Sequence, residues 1–155
     1  PQRFLIAIIN WAYEDKCYYF STDRKSWDDA RTDCVGRGSH LMNAFYSSLT
    51  WVRTQVGTEI FWIGLNDIAA EGVWEWTDGS TFLPFLAYWK PGNPDNWEDN
   101  EDCGEVVGGE KGQWNDDVCT SLRKYICKPE LSCQHWSTLV SFNTNLCRLP
   151  FYLFI

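Results

Sequence analysis

Residues 90–105, KPGNPDNWEDNEDCGE, crowd two prolines, three asparagines, six carboxylates and one tryptophan into sixteen positions. Carboxylates at this density repel one another unless positive charge or water offsets them, so the stretch is built either around a cation held by oxygens or for plain solvation. Paired carboxylates can also do acid–base chemistry. No Ser-His-Asp or Cys-His arrangement accompanies them, and the chain is not expected to be an enzyme.

Composition narrows the class. At 155 residues the chain reads as a single domain with a sizeable core. Ten Trp, nine Phe and seven Tyr can stabilise a loop-rich fold through the large areas they bury. A net charge of −8 argues against nucleic acid or an anionic membrane surface as partner. Seven cysteines without a C-x-x-C pair, beside only two histidines (His40 and His135), argue against zinc and for a disulfide framework in an oxidising compartment. Because seven is odd, at least one thiol is free, paired between chains, or separated from its partner. FLIAII at residues 4–9 is too short for a membrane span and lacks a small-residue cleavage site, so the chain reads as a mature or excised extracellular segment.

The elements that must position the oxygens follow from local pattern. CYYFS, residues 17–21, reads as a strand. In SWDDARTDCVGRG, Ser26 caps a helix, Asp28 and Asp29 suit its first turn, and Gly36 or Gly38 ends it. Trp27, Ala30, Arg31 and Cys34 recur at helical spacing, which turns Cys34 inward. SSLTWVRTQVG, residues 47–57, repeats the design with Leu49, Val52 and Val56 on one stripe. From residue 60 the texture changes to short apolar or alternating runs: IFWIGL, GVWEWTDG, KGQWNDDVC and RKYICK. Two early helices followed by small antiparallel sheets make an α+β fold. Between Ile68 and Asn115 little regular structure is expected beyond those runs, and a loop region that long points to function. Trp62, Trp74, Trp76 and Trp114 lie in the strand-like runs and are expected in the core.

The ordered set CYYFS, SWDDARTDC, WIGLND, WEWTDGS, NEDCGE, GQWNDDVC and KYICK resembles the C-type lectin-like domain from Trp11 to Lys128. The resemblance implies a domain over residues 1–128, with residues 129–155 as an atypical tail of unassigned role. It implies two disulfides, Cys34–Cys127 and Cys103–Cys119, worth roughly 4–5 and 3 kcal/mol in the chain-entropy account. Cys17 is then left unpaired, or joined to Cys133 or Cys147.

The resemblance also implies a calcium cage. Asn93 and Asp95 would come from a loop tripeptide centred on a cis proline, Pro94. Glu101 would come from before the cysteine, and Asn115 and Asp116 from the WND strand. An accessory calcium would draw on Asp67, Glu71, Asn96, Asp102 and the Glu101 carbonyl. Surface carboxylates without a metal are the competing reading of that second set. In such domains vicinal sugar hydroxyls bind the calcium and its ligands together. Asn93-Pro94-Asp95 has the donor-first, acceptor-last polarity of galactose binders, which implies galactose or N-acetylgalactosamine ahead of mannose or fucose. Asn93, Asp95, Trp97, Glu101 and Asn115 would then contact sugar. Trp97 would lie under the apolar face of the ring, the alternative being a packing role in the loop base. Only Glu98–Asn100 separates Trp97 from Glu101, without the glycine-rich insertion many galactose binders carry.

The function implied is calcium-dependent glycan binding outside the cell, by a secreted lectin or a receptor ectodomain, in innate immune recognition or adhesion. Homo-oligomers would supply avidity. The alternatives are a metal-independent protein-binding module on the same fold and, further off, an antifreeze-type relative.

Overall fold

The computed structural model describes residues 10–13, 16–44, 51–52, 54–110 and 112–130. Leu49, the serine start of the second helix, His135 and the tail beyond residue 130 lie outside the described residues, and so does any pairing of Cys17, Cys133 and Cys147.

A hairpin opens the fold, β1 (Asn10–Tyr13) against β2 (Lys16–Phe20). Helix α1 (Trp27–Gly36) begins where its sequence signal lies: Ser26 is the N-cap, and its Oγ accepts from the Asp29 N–H at 3.3 Å. Asp28 and Asp29 sit in the first turn, where carboxylates favour the helix dipole. Trp27, Ala30 and Cys34 form the buried stripe, whereas Arg31 turns outward to solvent. After β3 (Ser39–Leu41), helical turns at residues 51–52 and 54–56 form α2, with Val52 and Val56 buried.

The remaining strands are β4 (Ile60–Asn66), β5 (Glu75–Trp76), β6 (Cys103–Val107), β7 (Gln113–Asp117) and β8 (Lys124–Pro129). They run in the order β1-β2-β8-β4-β6-β7, with β3 added to β8 and β5 to β4. All pairings are antiparallel except β4 with β8, where Phe61 and Trp62 lie beside Lys124 and Tyr125. This parallel contact joins what the sequence presented as separate small sheets. Strand β6 also falls inside the stretch read as largely irregular, immediately after the acidic loop.

Alternation along β4 feeds two cores. Trp62 joins Trp27, Ala30, Leu41, Tyr125 and the Cys34–Cys127 pair beside α1. Phe61, Ile63 and Leu65 join Val52, Val56, Trp76, Val106, Trp114 and Ile126 on the other side. Both expected disulfides are present, spanning 93 and 16 residues. Of the four tryptophans expected inside, Trp62, Trp76 and Trp114 are buried, and Trp74 is partly buried at the rim.

Gly64 marks a close approach in the sheet. A Cβ there would lie 2.5 Å from Thr77 Oγ1 and 2.6 Å from the Leu41 carbonyl oxygen. Gly64→Ala is therefore expected to destabilise the domain by about 1–3 kcal/mol through overpacking. Gly36→Ala, with nothing within 4 Å of the added carbon, should be neutral or slightly stabilising. Denaturant midpoints of the two variants check the contrast.

Candidate functional site

The site lies where the loop over residues 88–102 folds onto β7. Trp114 is the anchor. Its N–H donates to the Tyr88 carbonyl at 2.7 Å, and its own carbonyl accepts from the Lys90 N–H at 2.8 Å. Its indole packs edge-on against Trp76 (5.6 Å between centroids) and Trp89 (5.7 Å), and Trp89 packs in turn on Trp74. Large rings in such contacts leave little freedom, so Trp89 and Lys90 are held in place relative to Asn115 and Asp116. The Asn93–Pro94 peptide is cis, as the tripeptide implied.

Asp116 is fully buried (0% exposed) and organises the rest. Its Oδ1 accepts from Asn93 Nδ2 at 2.8 Å, and its Oδ2 from the backbone N–H groups of Asp95 and Asn96 at 2.9 and 2.8 Å. The same Asn93 amide donates to Asn115 Oδ1 at 2.9 Å and to Asp95 Oδ1 at 3.1 Å. Glu101 Oε2 accepts from the Trp97 N–H at 3.0 Å, and the Glu101 N–H donates to Asn96 Oδ1 at 2.9 Å. Carboxylate oxygens of Asp95, Glu101 and Asp116 all lie within 4.8 Å of one another. The five residues assigned to the primary cage thus meet in one place. Three acceptors converge on a single amide nitrogen, and a half-turn of the Asn93 side chain would add a fourth oxygen. That donor set fits a hard divalent cation.

The accessory set is more dispersed. Among the described residues, Asp67, Glu71 and Asp102 do not form a second carboxylate group as close as the first. Asp67 is nonetheless buried (2% exposed), with Oδ2 accepting from the Gly72 N–H at 2.8 Å and Oδ1 without a hydrogen-bond partner. A buried carboxylate oxygen left unpaired is costly in an otherwise satisfied structure, and a cation would satisfy it. Asp102 meets Asp67 through its carbonyl, which accepts the Asp67 N–H at 3.1 Å. Glu71 stands exposed at the rim, and the Asn96 side-chain oxygen is engaged by Glu101.

Electrostatics agrees with the crowding. Burial pushes the Glu101 carboxyl up, and the charges of Asp116, Asp95 and Asp117 add to that against the Trp97 N–H. Burial likewise raises Asp67, with Asp102 and Asp116 contributing. Glu71 is raised by loss of hydration and then by Asp67, Asp102, Asp99 and Asp116. A patch in which three acids resist ionisation is short of positive charge.

Trp97 is 61% exposed, so it does not pack in the loop base. Asn96, Glu98 and Asp99 around it all have positive φ (42°, 59° and 54°). Left-handed backbone at three such residues costs on the order of 1 kcal/mol each and gathers at functional loops.

Sequence reasoning missed the support behind Asn115. Glu105, 3% exposed on β6, takes Asn115 Nδ2 on Oε1 and Arg123 Nε on Oε2, at 3.1 and 2.9 Å. Arg123 also pairs with Asp117. The available signal was the register of alternation, since a strand glutamate flanked by a core valine faces a sheet neighbour.

The chain belongs to the C-type lectin family: residues 23–129 match the lectin C-type domain. The family is one of lectins rather than enzymes. Over 123 residues the chain is 42% identical to the hepatic lectin of Gallus gallus, covering 78% of this chain and 58% of that protein. It is 37% identical to the carbohydrate-recognition domain of mouse scavenger receptor C-type lectin, over 78% of this chain and 95% of that one, with a TM-score of 0.72. A trimeric structure of the Kupffer cell C-type lectin receptor Clec4f matches at 33% identity, over 82% of this chain and 86% of that one, with a TM-score of 0.73. No helix among the described residues is long and apolar enough to cross a membrane.

Burial pushes Glu105 up to about 7, with Asp117 adding and Arg123 opposing. A raised carboxyl makes the fold bind a proton that the unfolded chain still releases. Stability from this group therefore rises as pH falls through about 7 toward the unfolded value of 4.5. In chelator, wild-type stability should gain on Glu105→Gln by on the order of 2–3 kcal/mol between pH 8 and 5. Denaturant titrations at several pH values measure that difference.

Proposed function

We propose that this chain is a calcium-dependent carbohydrate-recognition domain. The observation that carries the reading is the convergence of side-chain oxygens from Asn93, Asp95, Glu101, Asn115 and Asp116 around one buried carboxylate. When bound, calcium would neutralise those charges and offer open coordination positions to two neighbouring sugar hydroxyls. Three carboxylates against one doubly charged ion leave about −1, tolerable beside water. A second ion is proposed on Asp67, Glu71, Asn96 and Asp102, supported by the unpartnered Asp67 oxygen.

The protein's own groups set the sugar. Asn93 offers a donor first and Asp95 an acceptor last, the polarity proposed to favour galactose or N-acetylgalactosamine over mannose or fucose. Trp97, exposed beside them, would carry the apolar face of the ring, while Glu101 and Asn115 would face its hydroxyls. A shallow site of this kind holds a monosaccharide weakly, so clustering would supply useful avidity. The trimeric receptor neighbour supports an oligomer in the native setting. We place the domain outside the cell, within residues 1–128, on a glycan-binding protein of immune recognition or adhesion.

Retention on immobilised galactose and mannose, each in calcium and then in EDTA, tests the reading. Galactose should retain the protein longer, and EDTA should release it from both; retention unaffected by EDTA would instead fit the metal-independent protein-binding module. Asn93→Glu with Asp95→Asn should move preference to mannose. Trp97→Ala should weaken galactose binding roughly 10-fold or more, as loss of a stacked ring worth about 1–2 kcal/mol implies. Because Trp97 is exposed, the thermal midpoint of that variant should stay unchanged. Raised pKa values at Glu101 and Asp67 mean that protons compete with metal above the ordinary carboxylate range. Calcium affinity should accordingly fall between pH 7 and 5, which a pH series of calcium titrations measures.

A further inference from the structure

We infer that Glu105 and Arg123 are a positioning pair that fixes which end of the Asn115 amide faces the acidic pocket. The inference rests on the calcium reading for its consequence, but not for its geometry. Asn115 and Glu105 are directly paired residues on β7 and β6, so their side chains are nearest neighbours on one side of the sheet. Both protons of the Asn115 amide are committed, one to Glu105 Oε1 at 3.1 Å and the other to the Asp116 carbonyl at 2.5 Å. Its Oδ1 is thereby turned to Asn93, toward the pocket. An amide that flipped would present hydrogens to a cation and oxygen to two acceptors, wrong at both ends.

Glu105 holds this orientation only while it remains an acceptor on both oxygens. Arg123, a permanent donor, favours that state. Its Nε takes Oε2 at 2.9 Å, and its second arm is tied to Asp117 Oδ2 at 2.5 Å. Asp117 is paired with Cys103 across the same two strands. A buried glutamate without that guanidinium would be a charge in a nearly dry site, and removing one partner of such a pair is severe. Sheet register, one salt bridge and one amide thus convert fold rigidity into ligand orientation, as outer partners do for metal ligands generally.

Glu105→Gln, outside the proposed cage, separates positioning from mere structure, because it keeps the side chain's size but leaves one oxygen for two donors. It should bind calcium roughly 10- to 100-fold more weakly than wild type; a folded variant with wild-type affinity would overturn the inference. A second readout works in chelator at pH 8. Wild type should give two separate, slowly exchanging proton signals for the Asn115 side-chain amide, and Glu105→Gln should shift one of them; unchanged signals would overturn the inference. If wild type binds no calcium, the functional reading fails while the amide signals still decide the positioning. Arg123→Lys, which keeps charge but loses the fork, gives the same readouts should Glu105→Gln not fold. It should lower calcium affinity and shift the same signal; wild-type values for both would overturn the inference.

Discussion

Buried negative charge at Asp116 is the constraint around which the site end of this domain is arranged. A fully enclosed carboxylate has to be compensated. Here the compensation comes from the tripeptide loop, through the Asn93 amide and the N–H groups of Asp95 and Asn96. Those bonds draw a loop distant in sequence onto β7. They also bring the acids of that loop together, so that the charges of Asp116 and Asp95 add to burial in raising the cost of ionising Glu101. Burial first, and neighbouring charge second, hold Glu101 and Asp67 above their ordinary range. A divalent ion is the agent proposed to complete that balance.

The rest of the fold serves to keep that arrangement from relaxing. The Cys103–Cys119 bridge ties the end of the acidic loop to the residues after β7. Cys34–Cys127 ties α1 to the strand that meets β4 in parallel. Between them the tryptophans at 74, 76, 89 and 114 form a chain of edge-on contacts under the loop base. Aromatic packing therefore replaces regular structure where the chain has least of it. The tip, with Trp97, Glu98 and Asp99, lies exposed to solvent.

Much of this was legible in the sequence, for local reasons. Ser26 announces α1 because capping is a matter of a few bonds between near neighbours. Asn93, Asp95, Glu101, Asn115 and Asp116 are short oxygen-bearing residues in ordered motifs, and the structure brings them together. Features that depend on distant partners were hidden. Strand β6 follows directly on a run of acids, and its apolar content is two valines after Gly104, too little for a pattern. The β4–β8 parallel contact joins segments some sixty residues apart, which no local periodicity records. Glu105 and Arg123 look like ordinary surface charges until sheet register seats one under Asn115 and the other against it. Arg31, placed by spacing on the inner stripe of α1, faces water because a charged head has no partner beside the disulfide. For Asp67, Glu71, Asn96 and Asp102 the sequence named the donors, but their closeness depends on loop geometry that spacing does not encode.

The account stands on a cation neutralising the Asp116 pocket, and calorimetric titration of calcium into chelator-treated protein at neutral pH asks this directly. Saturable binding of at least one ion per chain, weakened 10-fold or more by Asp116→Asn in a variant that keeps its folded spectrum, is the predicted result. Folded wild-type protein that takes up no calcium at millimolar concentration, or an Asp116→Asn variant that binds as tightly as wild type, would contradict it.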